Sequence, residues 1–221
     1  MIQQGKIVPG ALVLSENEII EKYKVSNTTA RKTLHELEKA GWVTRIKGKG
    51  TFVRNNTVER PVTRIFGFTK NMIEAGRKPS TKLLGFHLRE NDRVLNLNGR
   101  DYVLKGPYCE IERLRCADGI PMMKETRFIS TQLCPGIQKR NLEQSLYSIF
   151  ERHYNIQLVE IKQMLSSVHL EGEWMKNFEC KQPIPAFRVE GVSFSGKNLI
   201  VEMEDSYYRG DMYRFSVSAV R

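Results

Sequence analysis

The chain has 221 residues and a net charge of +10, a length that allows two domains of ordinary size. No apolar run approaches the roughly 20 residues of a membrane-spanning helix, and no charged leader precedes an apolar core at the N-terminus. We therefore expect a cytoplasmic protein without a membrane partner. The first 60 residues hold 11 Lys and Arg against 6 Asp and Glu, a concentration of positive charge that suits a phosphate-facing domain.

Two short helices are predicted after residue 14. Ser15 and Glu18 have the spacing of a capping box, so the first helix should begin there. Ser26 can cap the second helix, which has apolar residues at i, i+4 and i+7 and should end at Gly41. The first turns of a recognition helix present side chains to base edges and phosphates in the major groove. The predicted DNA contacts of this helix are Ser26, Asn27, Thr28, Arg31 and Lys32.

A basic hairpin should follow, with strands at 42–47 and 51–53. Two glycines allow a turn with positive φ between the strands, and the basic side chains around that turn are placed to contact phosphates. The predicted contacts of the hairpin are Arg45, Lys47, Gly48, Lys49 and Gly50. Two capped helices followed by such a hairpin have the layout of a winged helix-turn-helix.

The motifs Pro-Gly at 9–10, Leu-Ser-Glu at 14–16, Val-Ser at 25–26 and GKGTFV at 48–53 resemble the DNA-binding domain of GntR-type bacterial transcription regulators. Members of that family usually carry Arg where this chain has Asn17 and Asn27. Because Asn pairs better with adenine and Arg with guanine, the family's usual operator is not assumed here. The family's first helix normally precedes Gly5, so we expect that helix to be mostly absent from this chain.

Residues 55–64 are polar and contain Pro61, which predicts a linker. Beyond it, strands and short helices follow each other in a pattern typical of an α+β domain with a mainly antiparallel sheet. Helices are predicted at 69–76 and 145–154, and strands at 82–90, 108–116, 186–195 and 199–208. The predicted organisation is a DNA-binding domain at 1–54, a linker at 55–64 and a second domain at 65–221.

Arg113 and Arg115 are two residues apart in a predicted strand, so both guanidinium groups should point to one face and suit a single anion. Surface ion pairs with Glu110 or Glu112 are an equal alternative on pattern alone. Ser145 begins a predicted helix, whose N-terminus offers backbone N–H groups and a positive dipole end to a phosphate.

Polar residues alternate with apolar ones along the last predicted strand. They are Glu202, Glu204, Ser206 and Tyr208. Such a face is either solvated or lines a polar cavity, and the pattern favours a solvated outer face.

The segments FGFTKNMIEAG at 66–76, ERLRCADGIPMMKET at 112–126, SLY at 145–147 and YYRGDMYRF at 207–215 resemble the UTRA ligand-sensing domain. That domain stands behind GntR-type DNA-binding domains in the HutC subfamily. The resemblance implies a chorismate-lyase-like α+β fold that usually forms a homodimer. It also implies phosphate binding by Arg113, Arg115, Ser145 and Tyr147, and contacts to sugar hydroxyls or an amide from Glu125, Glu202 and Tyr208, with Phe68 and Thr69 nearby.

Four cysteines show no Cys-x-x-Cys spacing, so we expect free buried thiols rather than disulfides or a metal site. They are Cys109, Cys116, Cys134 and Cys180. The four histidines are equally scattered, and we predict no metal, catalytic residue or cofactor.

We expect a homodimeric transcription repressor that binds double-stranded operator DNA. A small anionic metabolite would modulate its operator affinity, and a sugar phosphate or amino-sugar phosphate is the first expectation. The alternatives are a small-molecule-binding module without specific DNA recognition and a lyase-like enzyme. Enzymatic activity is not expected, because residues 191–195 lack the second glycine of a nucleophile elbow and no His or Cys has a recognisable catalytic partner.

Overall fold

The computed structural model describes residue 7, residues 10–53 and residues 57–219. The chain divides into two compact units, Met1–Thr57 and Val58–Arg221. No helix within the described ranges is long and apolar enough to cross a membrane. The expectation of a mostly absent first helix concerns Met1–Gln4, which lie outside the described residues.

The first unit contains the predicted helices and hairpin: α1 (Glu16–Tyr23), α2 (Asn27–Lys39), β1 (Val43–Ile46) and β2 (Gly50–Val53). At the start of α1, the Glu18 N–H donates to Ser15 Oγ and the Ser15 N–H donates 2.7 Å to the Glu18 carboxylate. This reciprocal pair is the predicted capping box. Gly41 follows α2 with φ +74°, a left-handed conformation that favours glycine and ends the helix as predicted.

The second unit is built around one antiparallel sheet. Its elements in chain order are β3 (Val58–Pro61), α3 (Phe68–Glu74), β4 (Pro79–Arg89), β5 (Arg93–Leu97), β6 (Arg100–Leu104), β7 (Tyr108–Ala117), β8 (Ile120–Ser130), a 3-10 turn (Ile137–Lys139), α4 (Leu146–Tyr154), β9 (Leu158–Leu170), α5 (Glu173–Asn177), β10 (Ile184–Ser195), β11 (Ile200–Arg209) and β12 (Tyr213–Ser216). Six strands form the sheet in the order β4-β7-β8-β11-β10-β9. The mainly antiparallel α+β fold is therefore confirmed.

The structure differs from the predicted linker at residues 58–61. These residues form β3, which pairs in parallel with β12. Val58 is buried in an apolar cluster with Met72 and Tyr213, so apolar packing outweighs the polar composition that suggested a linker. Residues 55 and 56 of the predicted linker lie outside the described residues.

Two apolar clusters cover one face of the six-stranded sheet and leave its centre polar. One cluster joins Phe68 and Met72 of α3 to Met123 of β8. The other joins Ile149 and Phe150 of α4 to β7 and β8. The charged residues of the central strands lie between the two clusters, where they are shielded from solvent.

Candidate functional site

The predicted DNA-contacting residues all lie on the surface of the first unit. Each is exposed: Ser26, Asn27, Thr28, Arg31, Lys32, Arg45, Lys47, Gly48, Lys49 and Gly50. Ser26 caps α2 through a hydrogen bond from the Thr29 N–H. The Lys49 N–H donates 2.9 Å to the Ile46 carbonyl and closes the turn between β1 and β2. The exposed basic groups are therefore available to a phosphate backbone.

One acidic residue links α2 to the β1–β2 hairpin. The Glu16 carboxylate lies 3.6 Å from Arg31 Nε and 3.3 Å from Arg45 Nη2. Thr28, Arg31, Lys32 and Arg45 line a shallow depression together with His35. His35 was not predicted, although its position four residues after Arg31 places both on the same side of α2.

In the second unit, Arg113 and Arg115 point to the buried face of β7, with 1% and 3% of their surface exposed. The alternative of a surface ion-pair ladder is therefore wrong. Glu110 pairs instead with Arg89 at 2.6 Å, and Glu112 pairs with Lys124 at 3.0 Å. The two arginines belong to the interior of the domain.

The antiparallel register brings the charged side chains of three strands into neighbouring rows. Arg113 of β7 lies beside Glu125 of β8, which lies beside Ser206 of β11. In the next row, Arg127 of β8 lies beside Glu204 of β11. Directly opposed side chains in an antiparallel pair lie about 4.5–5.5 Å apart at Cβ, so these groups meet in one cluster.

The Glu125 carboxylate contacts three arginines. Arg115 donates 2.7 Å to Glu125 Oε1, Arg113 contacts the same oxygen, and Arg127 donates 2.9 Å to Oε2. Burial alone would raise the pKa of Glu125, but the positive charges of Arg113, Arg127 and Arg115 lower it well below the usual range. Glu125 is therefore ionised across the physiological pH range.

Arg127 joins Glu125 to the acidic face of β11. Its guanidinium lies 3.0 Å from Glu202 Oε1 and 2.7 Å from Glu204 Oε2. Arg127 was not among the predicted site residues. The alternation of β8 could have revealed it, because Arg127 is two residues from Glu125 and shares its face.

The expectation that the polar face of β11 is solvated is wrong. Glu202, Glu204, Ser206 and Tyr208 are all at most 4% exposed. Burial raises the pKa of Glu202 above its usual value despite the neighbouring Arg127. Pairing with a buried cation, rather than solvation, is what permits carboxylates on this face.

The starts of α3 and α4 close over the arginine cluster. Ser145 caps α4 by accepting from the Ser148 N–H, and Arg113 donates 2.9 Å to each of the Leu142 and Gln144 carbonyls in the preceding loop. From α3, the Thr69 hydroxyl accepts from Arg115 at 2.9 Å, and the Arg115 guanidinium carbon lies 4.7 Å from the centre of the Phe68 ring.

A cavity lies where these elements meet. It is lined by Gly67, Phe68, Arg113, Arg115, Glu125, Arg127, Ser145, Leu146 and Tyr147. Its free space is about 10 Å³, the room of about one water molecule. Arg113 Nε and Arg115 Nε are buried without a hydrogen-bond partner. The structure thus brings together most of the predicted ligand-binding residues around a small, cation-rich cavity.

Glu202 and Tyr208 do not line this cavity. Glu202 reaches it through Arg127, and Tyr208 lies on β11 beside Met123 of β8. Arg60 of β3 donates to the Tyr208 hydroxyl, and its guanidinium carbon lies 5.2 Å from the ring centre. Burial raises the pKa of Tyr208 to about 12, so the phenol is neutral. Arg60 was missed because its segment was interpreted as a linker.

The cysteines are free thiols, with Cys109 and Cys134 buried and Cys116 and Cys180 partly buried. Burial raises the pKa of Cys109 to about 11 and that of Cys134 to about 12, which keeps both thiols protonated and unreactive. Within the described part of the chain, no group of three or more His, Cys, Asp or Glu residues could hold a metal ion.

Two family profiles cover most of the chain. Residues 1–53 match bacterial regulatory proteins of the gntR family, and residues 74–214 match the UTRA domain. The chain is 27% identical to the HTH-type transcriptional repressor NagR of Bacillus subtilis over 218 residues, which are 97% of this chain and 88% of that protein.

Two further proteins are similar over nearly the whole chain. A protein of Escherichia coli strain K12, named as a probable fructoselysine utilization operon transcriptional repressor, is 25% identical over 232 residues, covering 100% of this chain and 90% of that one. The crystal structure of PhnF from Mycobacterium smegmatis superposes with a TM-score of 0.65 at 23% identity, covering 99% of this chain and 96% of that chain. The relatives are named as regulators rather than enzymes. The chain therefore belongs to the GntR family of transcription regulators and combines its helix-turn-helix domain with a UTRA ligand-binding domain, as in the HutC type.

Proposed function

We propose that this repressor binds operator DNA as a homodimer and that a sugar phosphate or amino-sugar phosphate in the UTRA domain changes its operator affinity. The observation that carries the ligand class is the buried pair Arg113 and Arg115, which lies against the start of α4. Charge-assisted hydrogen bonds from paired guanidinium groups and a helix N-terminus are the usual means of holding a phosphate.

We call Arg113, Arg115, Ser145 and Tyr147 the anion site. The phosphate would take the unpartnered Nε–H groups of both arginines, the Ser145 hydroxyl and the Tyr147 side chain. The polyhydroxylated part of the ligand would contact Glu125, Glu202 and Tyr208, with Phe68 and Thr69 beside it. One relative is named after the sugar derivative fructoselysine, which agrees with a ligand rich in hydroxyl groups.

The DNA part of the proposal is supported by the exposed basic groups of α2 and the β1–β2 hairpin. Arg31 and Lys32 would contact bases and phosphates in the major groove, and Lys47 and Lys49 would contact the backbone. Two copies related by a two-fold axis would occupy the two half-sites of an operator. Glu16 would release Arg31 and Arg45 to phosphates when DNA binds.

Coupling between ligand and DNA would pass through Arg60. This residue contacts Tyr208, a proposed ligand contact, and lies on β3. Only residues 54–57 separate β3 from β2 of the hairpin. A ligand that moves Tyr208 would therefore also move β3, the first strand after the DNA-binding unit in the chain. Such a link would give the ligand site and the DNA-binding surface a shared coupling free energy.

A thermal-unfolding screen tests the ligand class. Glucosamine 6-phosphate and glucose 6-phosphate are compared with glucosamine and glucose on the wild type, on Arg115→Ala and on Arg89→Ala. Arg89 is a control because its ion pair with Glu110 is at the surface. A ligand at 100 times its Kd adds about 2.7 kcal/mol of stability.

We expect only the phosphorylated compounds to stabilise the wild type. This stabilisation should be lost in Arg115→Ala and kept in Arg89→Ala. Equal stabilisation of the wild type and Arg115→Ala would contradict the anion site. Selection of bound sequences from a random DNA pool tests the DNA part, which fails if no sequence is enriched.

A further inference from the structure

Glu125 fills the position in which the anion site would receive a ligand. Its Oε1 atom faces both Arg113 and Arg115, at 2.7 Å from Arg115 Nη1. The side chain is 1% exposed. Among the described residues that line the cavity, Glu125 is the one carboxylate.

The space around Glu125 is too small for an additional anion. About 10 Å³ is free in the cavity, which suits one water molecule and excludes a phosphate group with its sugar. A ligand anion can therefore reach the Nη groups of Arg113 and Arg115 that Glu125 now contacts only if the carboxylate moves away from them.

The pairing of the buried arginines favours an exchange over the removal of a partner. The cluster contains three buried arginines, Arg113, Arg115 and Arg127, and three buried glutamates, Glu125, Glu202 and Glu204. Removing one partner from a buried ion pair is costly because it leaves an uncompensated charge. An anion that arrives as the carboxylate leaves keeps both arginines paired throughout.

The carboxylate also has a second partner that can retain it. Glu125 Oε2 accepts from Arg127 Nε at 2.9 Å, whereas Arg113 and Arg115 contact the other oxygen, Oε1. Arg127 is itself fixed by Glu202 at 3.0 Å and Glu204 at 2.7 Å. A small rotation of the Glu125 side chain can therefore break its contacts with Arg113 and Arg115 without leaving it unpaired.

Resting on the proposed function, we propose that Glu125 is a resident counter-ion that the ligand's anionic group displaces from Arg113 and Arg115, while Arg127 retains it. Glu125 is then a specificity residue, because only an anion can replace it and a neutral sugar cannot. Arg127 is a positioning residue that acts through Glu125. The exchange also sets ligand affinity, since every bound anion must compete with an internal carboxylate.

The exchange gives Glu125→Gln an effect opposite in sign to the loss of an ordinary ligand contact. The amide keeps the size of the side chain but removes the competing charge. Removal of one unit charge at ion-pair distance should tighten anion binding by roughly tenfold or more. The loss of a mere hydroxyl contact would weaken binding instead.

Isothermal titration with inorganic phosphate and glucosamine 6-phosphate tests this inference on the full chain. The variants are Glu125→Gln, Arg115→Ala and the control Glu112→Gln, which removes a carboxylate from the opposite face of the neighbouring strand β7. We expect tighter binding of both anions by Glu125→Gln and unchanged binding by Glu112→Gln. Arg127→Gln should weaken binding, because the displaced carboxylate then lacks a partner.

The outcomes separate this inference from the proposed function. One outcome is that the wild type binds the anions, Arg115→Ala does not, and Glu125→Gln binds them no more tightly than the wild type. That outcome overturns the exchange and leaves the anion site intact. No binding to the wild type or to Glu125→Gln overturns both. If Glu125→Gln fails to fold, Glu125→Asp serves instead. Its shorter carboxylate cannot contact Arg115 and Arg127 together, so anion binding should again be tighter than in the wild type. Weaker binding by Glu125→Asp refutes the exchange.

Discussion

Replacing Arg127 by Met removes the cation that holds the buried acids of β8 and β11 together. The guanidinium lies 2.9 Å from Glu125, 3.0 Å from Glu202 and 2.7 Å from Glu204. Glu125 would still have Arg113 and Arg115 in the variant. Glu202 would keep a hydrogen bond from the Ser193 hydroxyl at 3.3 Å and the more distant charge of Arg113, but no ion pair within 4 Å among the described residues.

Breaking a buried ion pair by removing one partner costs about 3–5 kcal/mol. For a domain of this size, about 2–4 °C of melting temperature corresponds to 1 kcal/mol, so the transition should fall by roughly 6–20 °C. The matched control is Arg188→Met. Arg188 makes two hydrogen bonds to Asp205 at 2.9 and 2.8 Å, but its side chain is 34% exposed. An exposed pair of this kind contributes about 1 kcal/mol or less.

The pH dependence of the Arg127→Met variant has a defined sign. Burial already raises the pKa of Glu202 in the wild type, and loss of Arg127 should raise it further. A carboxyl whose folded pKa exceeds its unfolded value favours the folded state below the unfolded pKa, and this stability is lost as the pH rises through the folded pKa. The deficit of Arg127→Met against the wild type should therefore be largest near neutral pH and shrink towards about pH 5.

Thermal unfolding of both variants between pH 5 and 8, followed by circular dichroism, checks these expectations. A deficit for Arg127→Met that is no larger than that for Arg188→Met would refute the assigned network. So would a deficit that grows on acidification, since acid should neutralise the carboxylate that lost its partner.

The DNA-binding unit and the coupling residue give further predictions. Arg31→Ala should weaken binding to a selected operator by about 1–3 kcal/mol and relax its sequence preference; equal loss on all DNA would contradict a base-reading role. Lys49→Ala should weaken binding to every sequence and reduce the salt dependence by about one unit, and an unchanged salt slope would exclude a phosphate contact. Ser26→Ala should lower the free energy of unfolding in urea by about 1 kcal/mol through loss of the α2 cap, whereas no change would mean that the cap is not stabilising. Arg60→Met should leave anion affinity in titration within a few-fold but reduce the ligand's effect on DNA affinity; a full effect would rule out coupling through β3.

Local signals predicted the helices and the hairpin because each depends on nearby residues. Ser15 and Ser26 cap the two helices as their spacing indicated, and Gly41 ends the second through its positive φ. The alternation of β7 likewise placed Arg113 and Arg115 on one face. In these cases the information lies within a few residues of the chain.

The interior of the UTRA domain could not be predicted in the same way. The burial of Glu202 depends on α3 and α4 covering the sheet and on Arg127, which lies 75 residues away in the chain. β3 depends on Val58 packing beside Tyr213 and on pairing with β12. Alternation alone cannot distinguish a solvated polar face from one that is covered and charge-paired, because both have the same period of two.

The most direct test of ligand-controlled DNA binding is a fluorescence anisotropy titration of the selected operator with and without the sugar phosphate that stabilises the protein most. A coupling free energy of about 1–3 kcal/mol predicts a change in operator Kd of roughly 5- to 150-fold. Arg115→Ala should bind the operator normally and show no such change. An operator Kd that is unchanged at saturating ligand would contradict the account, since a ligand that binds both states equally cannot regulate DNA binding.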